Sequence, residues 1–209
     1  MLVWGSRISI IFAFGASLLS LVVGIVLGAL SGYIGGWLDD LMCRVFELFY
    51  IIPRTFLVIL MVAFFGSSVS LMVIIIGITI WPSNAKIMRA QVLTLKRRGY
   101  VQAADVAGGS RLSILFRHIV PNGMGPVLSN SILQMAQAVL TEASLSFLGL
   151  GDPNRASWGL ILNAGQKHIN TAPWLVIYPG IALALLLLAF NLIGTALHKT
   201  LNVKQTVME

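Results

Sequence analysis

Four windows of this chain, residues 8–38, 55–85, 118–141 and 168–198, contain no Asp, Glu, Lys or Arg. A helix that crosses a bilayer needs about 20 mainly apolar residues, and each window is long enough to supply one. A helix of a soluble core is shorter and keeps a polar stripe towards water. Only 10% of the 209 residues are charged, against about 25% in soluble domains. The expectation is an all-α, polytopic transmembrane bundle in which residues 1–209 form one domain.

The net charge of +7 is concentrated. Lys86, Arg89, Lys96, Arg97, Arg98, Arg111 and Arg117 face a single acid, Asp105, between residues 86 and 117, a balance of +6. The positive-inside bias puts that segment on the cytoplasmic side. No nucleic-acid motif accompanies these charges, so no nucleic-acid partner is expected. Contact with anionic lipid is compatible with them. Cys43 is the only cysteine, so neither an intrachain disulfide nor a thiolate metal site can form. His118, His168 and His198 lie far apart in the chain. No phosphate loop, nucleophile elbow or zinc-protease helix is present. The expectation is therefore no catalysis, no metal site and no cofactor bound by the chain itself.

Arg7 precedes the first uncharged run, which is too long for a secretory signal, whose apolar stretch covers about 7–15 residues. The run reads as a retained span. Within it Gly24, Gly28 and Gly32 recur every fourth residue, a stripe that lets another helix backbone approach closely. Gly35 and Gly36 end this span, and Asp39 and Asp40 open the next element near its positive dipole end. Arg44 and Glu47 are spaced to pair. Pro53 should kink whatever helix contains it. Two readings follow. One is an interfacial helix to Ile52 before one long span. The other, favoured by the turn residues Gly66-Ser67-Ser68, is a kinked span to Phe65 and a further span over residues 70–86.

That further run is expected to end at Trp81-Pro82-Ser83-Asn84, where an interfacial aromatic meets a helix breaker, and the basic loop follows. A span over residues 122–148 is interrupted only by Glu142, then a loop covers residues 149–171. The last span covers residues 173–198, with Lys199 and Lys204 just beyond it. Two spans separate the basic loop from this basic tail, so both face one side. The total is about five spans.

Within the basic loop, residues 100–107 read as a short helix broken by Gly108-Gly109. Ser110 is a suitable N-cap for a second helix. Leu112, Leu115, Phe116 and Ile119 would form its apolar face, and Pro121 would end it. Ala103, Ala104 and Ala107 allow close approach. Two short helices of this kind suit either docking into a partner's groove or adsorption on lipid headgroups, and spacing alone leaves both open.

The order Gln102-Ala103-Ala104, Gly108, Pro121 resembles the coupling loop of ABC importer permeases, here residues 99–121. Arg117-His118-Ile119-Val120-Pro121-Asn122 and Glu142-Ala143-Ser144-Leu145-Ser146-Phe147-Leu148-Gly149-Leu150-Gly151 extend the likeness. Ser157-Trp158-Gly159, Ala172-Pro173-Trp174 and Ala189-Phe190-Asn191-Leu192 follow in order. Nearly the whole chain resembles the membrane permease subunit of dipeptide/oligopeptide/nickel-type ABC importers. Gln102 stands where the general pattern has Glu, and Val120 where it has Leu. The resemblance implies six spans, and the expectation is that this chain begins at the second of them, as a truncation, a misplaced start or a five-span variant.

The resemblance implies a type I importer permease fold in the cytoplasmic membrane, a second related permease, cytoplasmic ATP-binding subunits that use the ATP, and an extracytoplasmic substrate-binding protein. It implies peptide substrates first, with nickel or other small solutes as alternatives. On that basis Gln102, Ala103, Ala104, Asp105, Gly108, Arg111, Leu112, Phe116 and Pro121 are the candidate docking residues. Glu142 is a candidate structural, gating or pathway residue. Placing an ionisable group at the bilayer centre costs about 2.5–3.5 kcal/mol, and Glu142 would need a hydrogen-bond partner near Ser144. A secondary transporter or channel is the alternative class.

Overall fold

The computed structural model describes residues 2–207, and every regular element among them is a helix. Helix α1 (Leu2–Ile34) ends where Gly35 and Gly36 take positive φ values of 72° and 60°. Helix α2 (Gly36–Ile51) and α3 (Arg54–Phe65) follow, separated at Pro53. The missing proline N–H does more than kink the chain: the two helices meet at a bend of 82°. Gly66, with φ 90°, then turns the chain into α4 (Val69–Leu95), whose N-cap Ser68 accepts a hydrogen bond from the Leu71 amide.

Helices α1 and α4 run parallel, held close by the glycine stripe. A Cβ on Gly24 would lie 2.5 Å from the Asn84 Cβ, one on Gly28 would strike the Ala85 carbonyl oxygen, and one on Gly32 would lie 2.9 Å from the Arg89 carbonyl oxygen. Such proximity converts many small dispersion contacts into helix association where lipid supplies no hydrophobic drive. Since α1 and α4 both run from one end of the bundle to the other, α2 and α3 together must return its full length.

Residues 81–84 do not end this helix. Trp81, Pro82 and Asn84 are buried, and α4 continues to Leu95. Phe46 and Phe49 of α2 pack edge-on against Trp81, each with ring centroids at 5.5 Å. The tertiary contacts around Pro82 hold the turn that local sequence disfavours.

After α5 (Gly99–Val106), a helix starts at Arg111 as α6 (Arg111–Ser113). It passes through a π turn (Ile114–Ile119) and continues without a break as α7 (Val120–Phe147). Pro121 therefore does not stop it. The π turn opens the helix just before the proline and relieves the clash between its ring and the preceding carbonyl. The same turn moves the apolar face. Ile114, Leu115 and Ile119 are buried, whereas Leu112 and Phe116 are 63% and 44% exposed, because the i→i+5 bonds of the π turn replace i→i+4 bonds and widen the helical period.

Gly149 at φ 84° closes α7. The segment expected to be all loop contains α8 (Trp158–Gln166), capped by Ser157 and pinned by Trp158, whose indole N–H donates to the Leu2 carbonyl at 2.9 Å. The last helix, α9 (Trp174–Val207), runs on past Lys199 rather than ending before it. Among the described residues three helices, α1, α4 and α9, are long and apolar enough to cross a membrane, giving three spans, or four if the bent α2–α3 pair is one span. Helix α7 is as long, but its Asn, Gln and Glu residues lower its hydropathy; several of them point into the bundle rather than outward.

Candidate functional site

The two ends of the bundle differ in charge. At one end lie the N-terminus of α1, the turn before α4 and α8; the Val69 amide there donates to Asp152 Oδ2 at 3.3 Å. At the other end lie the C-termini of α1 and α4, the hairpin of α5 and α6, the start of α7 and the end of α9. Leu201 sits against Gly125 at that end. The basic cluster and Lys199 are therefore together.

The hairpin has two faces. Inward, Val101, Ile114, Leu115 and Ile119 join Ala29, Met88, Val92 and Val127 in one core. Gly108, with φ 80°, makes the reversal between its helices, and a Cβ on Gly109 would press on the Ala104 carbonyl at 2.9 Å. Ser110 accepts from the Ser113 amide as the cap of the second helix. Outward, Gln102, Ala103, Asp105, Gly108, Arg111, Leu112, Phe116 and Pro121 are exposed, and Ala104 is half-buried against the core. Val106, which the spacing argument passed over, is 89% exposed. Partial burial raises the Tyr100 phenol above its ordinary pKa, opposed by the charge of Arg98. The outer face thus mixes apolar side chains with cations on an otherwise polar segment, the composition of a contact surface.

The end of α4 that leads into the hairpin is tied to α1 and α2. Arg89 on α4 makes a two-pronged ion pair with Asp39 at the start of α2, both contacts at 2.6 Å, and Ser31 of α1 also donates to Asp39. Lys96 Nζ donates to the Tyr33 carbonyl at 2.8 Å and sits 5.3 Å from the Tyr33 ring centroid. Asp39 was expected only as a dipole partner. Its cation comes from α4, fifty positions on, and Arg44 and Glu47 form no ion pair with each other. Sequence spacing carries no signal for such a distant partner.

Deeper in the bundle, Asn84 is fully buried, and its amide nitrogen faces Ser20 Oγ at 3.1 Å, Ser131 Oγ at 3.0 Å and Gln134 Oε1 at 3.0 Å. Two amide hydrogens serve three acceptors, so one bond is shared. Asn130 donates to Asn84 Oδ1 at 2.8 Å, and Gln134 Nε2 donates to the Ile80 carbonyl at 3.0 Å. This network ties α1, α4 and α7 together and joins the hairpin's root to the bundle. An amide inside an uncharged window was the available signal, masked by the neighbouring Trp81-Pro82.

Glu142 lies towards the opposite end and is 1% exposed. Its Oε1 accepts from Ser146 Oγ at 2.6 Å, while Oε2 has no partner. Ser144, the expected neighbour, is exposed and donates to the Leu140 carbonyl instead. No cluster of three or more His, Cys, Asp or Glu side chains is found among the described residues.

Residues 24–206 match the family model described as binding-protein-dependent transport system inner membrane component. The chain is 40% identical over 201 residues to the oligopeptide transport system permease protein OppC of Haemophilus influenzae, covering 96% of this chain and 65% of that one. It is 36% identical to OppC of Bacillus subtilis, covering 96% and 66%. It is 35% identical to the dipeptide transport system permease protein DppC of Alkalihalophilus pseudofirmus, covering 97% and 67%. The chain thus spans about two thirds of the length of the relatives it matches. The fold is similar to a chain in an inward-facing structure of the MetNI methionine ABC transporter, with a TM-score of 0.74 at 16% identity, covering 96% of this chain and 95% of that one. With apolar helices of spanning length and a family match over most of its residues, the chain is an integral membrane protein of the binding-protein-dependent transport system inner membrane component family.

Proposed function

We propose that this chain is the membrane-spanning permease subunit of an ATP-driven importer of dipeptides or oligopeptides. Its hairpin at residues 99–121 docks on cytoplasmic ATP-binding subunits, which supply the hydrolysis; the chain itself catalyses nothing. A second, related permease completes the path, and an extracytoplasmic binding protein delivers the substrate. The peptide class comes from the relatives, which are oligopeptide and dipeptide permeases by name.

One observation carries the coupling role. The hairpin's outer face leaves Val106, Leu112 and Phe116 unburied, while its second helix runs unbroken from Arg111 to Phe147. A force applied to that face enters a stiff rod roughly 50 Å long that is bonded to α1 and α4 through Asn84. The basic end faces the cytoplasm under the positive-inside bias. Five traversals then follow: α1, α2 with α3, α4, α7 and α9. Glu142 holds a structural position between α7 and the segment leading to α8.

Gly108→Asp tests the docking role. A side chain there meets nothing within 4 Å of this chain, and Asp tolerates positive φ better than most residues. The expected result is loss of ATP-driven uptake with normal membrane insertion. Uptake at the parental rate would remove the docking role.

A further inference from the structure

Between the hairpin and the end of α1 lies a cleft of about 620 Å³. Its lining is amphiphilic: Leu30, Ile34 and Leu112 on one hand, Lys96, Arg111 and Asp105 on the other. We propose that this cleft is a binding site for one anionic phospholipid, the phosphate held by Lys96 and Arg111 and the acyl chains laid along Leu30 and Ile34.

Three observations support this occupant. The first is level. Helix α4 has 27 residues and is about 40 Å long, longer than a hydrocarbon core of about 30 Å. Lys96, just beyond its end, therefore stands at headgroup depth when the basic end faces the cytoplasm. Tyr33 lines the same cleft, and tyrosines favour that depth. The second is charge. Lys96 and Arg111 outnumber Asp105, so the lining carries a net positive charge. Asp105 forms no ion pair with either cation, and Arg97 follows Lys96 directly. Lys96 spends one of its three donor hydrogens on the Tyr33 carbonyl, leaving two for a phosphate. The third is size. The volume lies within the range of small-molecule sites, about 300–1,000 Å³, which suits a headgroup and the first methylenes rather than a protein segment. The apolar part continues onto the exposed Ile34 at the end of α1, where the remainder of the chains would join the bilayer.

The inference rests on the proposed orientation and shares Asp105, Arg111 and Leu112 with the proposed docking face. Lipid retention is therefore read on the chain alone and uptake by Gly108→Asp separately, so that failure of one is distinguishable from failure of the other. The purified 209-residue chain in detergent is incubated with phosphatidylglycerol or phosphatidylcholine of identical acyl chains, and retained lipid is read by native mass spectrometry. One phosphatidylglycerol should be retained in preference to phosphatidylcholine. Lys96→Gln should weaken that retention about fivefold, the effect of one lysine near an anionic lipid surface. Lys86→Gln, which removes an equal charge from a residue stacked on Tyr50 at 4.2 Å, should leave it unchanged. Circular dichroism should show both variants folded. Equal retention of the two lipids, or equal loss in both variants, would overturn the site. Displacement by inorganic phosphate would make it a free-anion site, and displacement by co-purified ATP-binding subunits would assign the cleft to protein; either result also overturns the lipid assignment.

Discussion

At the scale of single residues, the absence of a side chain matters more here than any functional group. Gly28 faces the Ala85 backbone so closely that a single methyl group has no room. Backbone cannot step aside as a flexible side chain can, so α1 and α4 would have to separate. Gly28→Ala should therefore lower stability by about 1–3 kcal/mol in thermal unfolding of the detergent-solubilised protein. Helix propensity alone would raise it by about 0.5–1 kcal/mol. Gly180 in α9 meets nothing within 4 Å, so Gly180→Ala should keep that gain. If the two variants prove equally stable, the α1–α4 contact is looser than described. The four-residue period of Gly24, Gly28 and Gly32 makes the stripe readable, because a helix converts that period into one face. Asn84, Ser20 and Gln134 carry no such period. Their network exists only after three helices have packed.

At the scale of elements, the hairpin and its rod are one mechanical part. The break at Gly108-Gly109 and the Ser110 cap are legible because they depend on local backbone chemistry. The burial pattern of the second helix is not, since the π turn at residues 114–119 changes the period that any stripe argument assumes. Pro82 and Pro121 mislead for a related reason: a proline ends a helix only when nothing else holds the turn together. In α4 the aromatic packing on Trp81 holds it, and before α7 the π turn makes room. The continuous rod has a testable consequence. Inserting a pair of glycines between Val120 and Pro121 should leave the hairpin able to bind the ATP-binding subunits, as pull-down would show, yet reduce ATP-driven uptake to background. Retained uptake would mean that force reaches the bundle by another route, such as the Asp39–Arg89 pair.

At the scale of the whole molecule, polarity is distributed from inside to outside in the reverse of a soluble protein. Asn84, Ser131, Gln134 and Glu142 are interior, whereas Phe14, Leu185 and Leu192 are exposed by 55%, 61% and 70%. The outer faces of α1 and α9 suit lipid or a second permease, and the charge asymmetry between the ends sets the direction. The charge asymmetry itself was readable from the clustering of basic residues alone. The path of α2 and α3 was readable as a kinked span to Phe65, from Pro53 and the turn residues at 66–68; the 82° size of the bend was not. The central claim is that the basic hairpin meets ATP-binding subunits on the cytoplasmic side. Val106 offers the most direct test, being 89% exposed at the hairpin. A Val106→Cys variant on a Cys43→Ser background should react with a membrane-impermeant thiol reagent only from the cytoplasmic side, and should crosslink to an ATP-binding subunit. Labelling from the extracytoplasmic side, or no crosslink to any ATP-hydrolysing protein, would contradict the account.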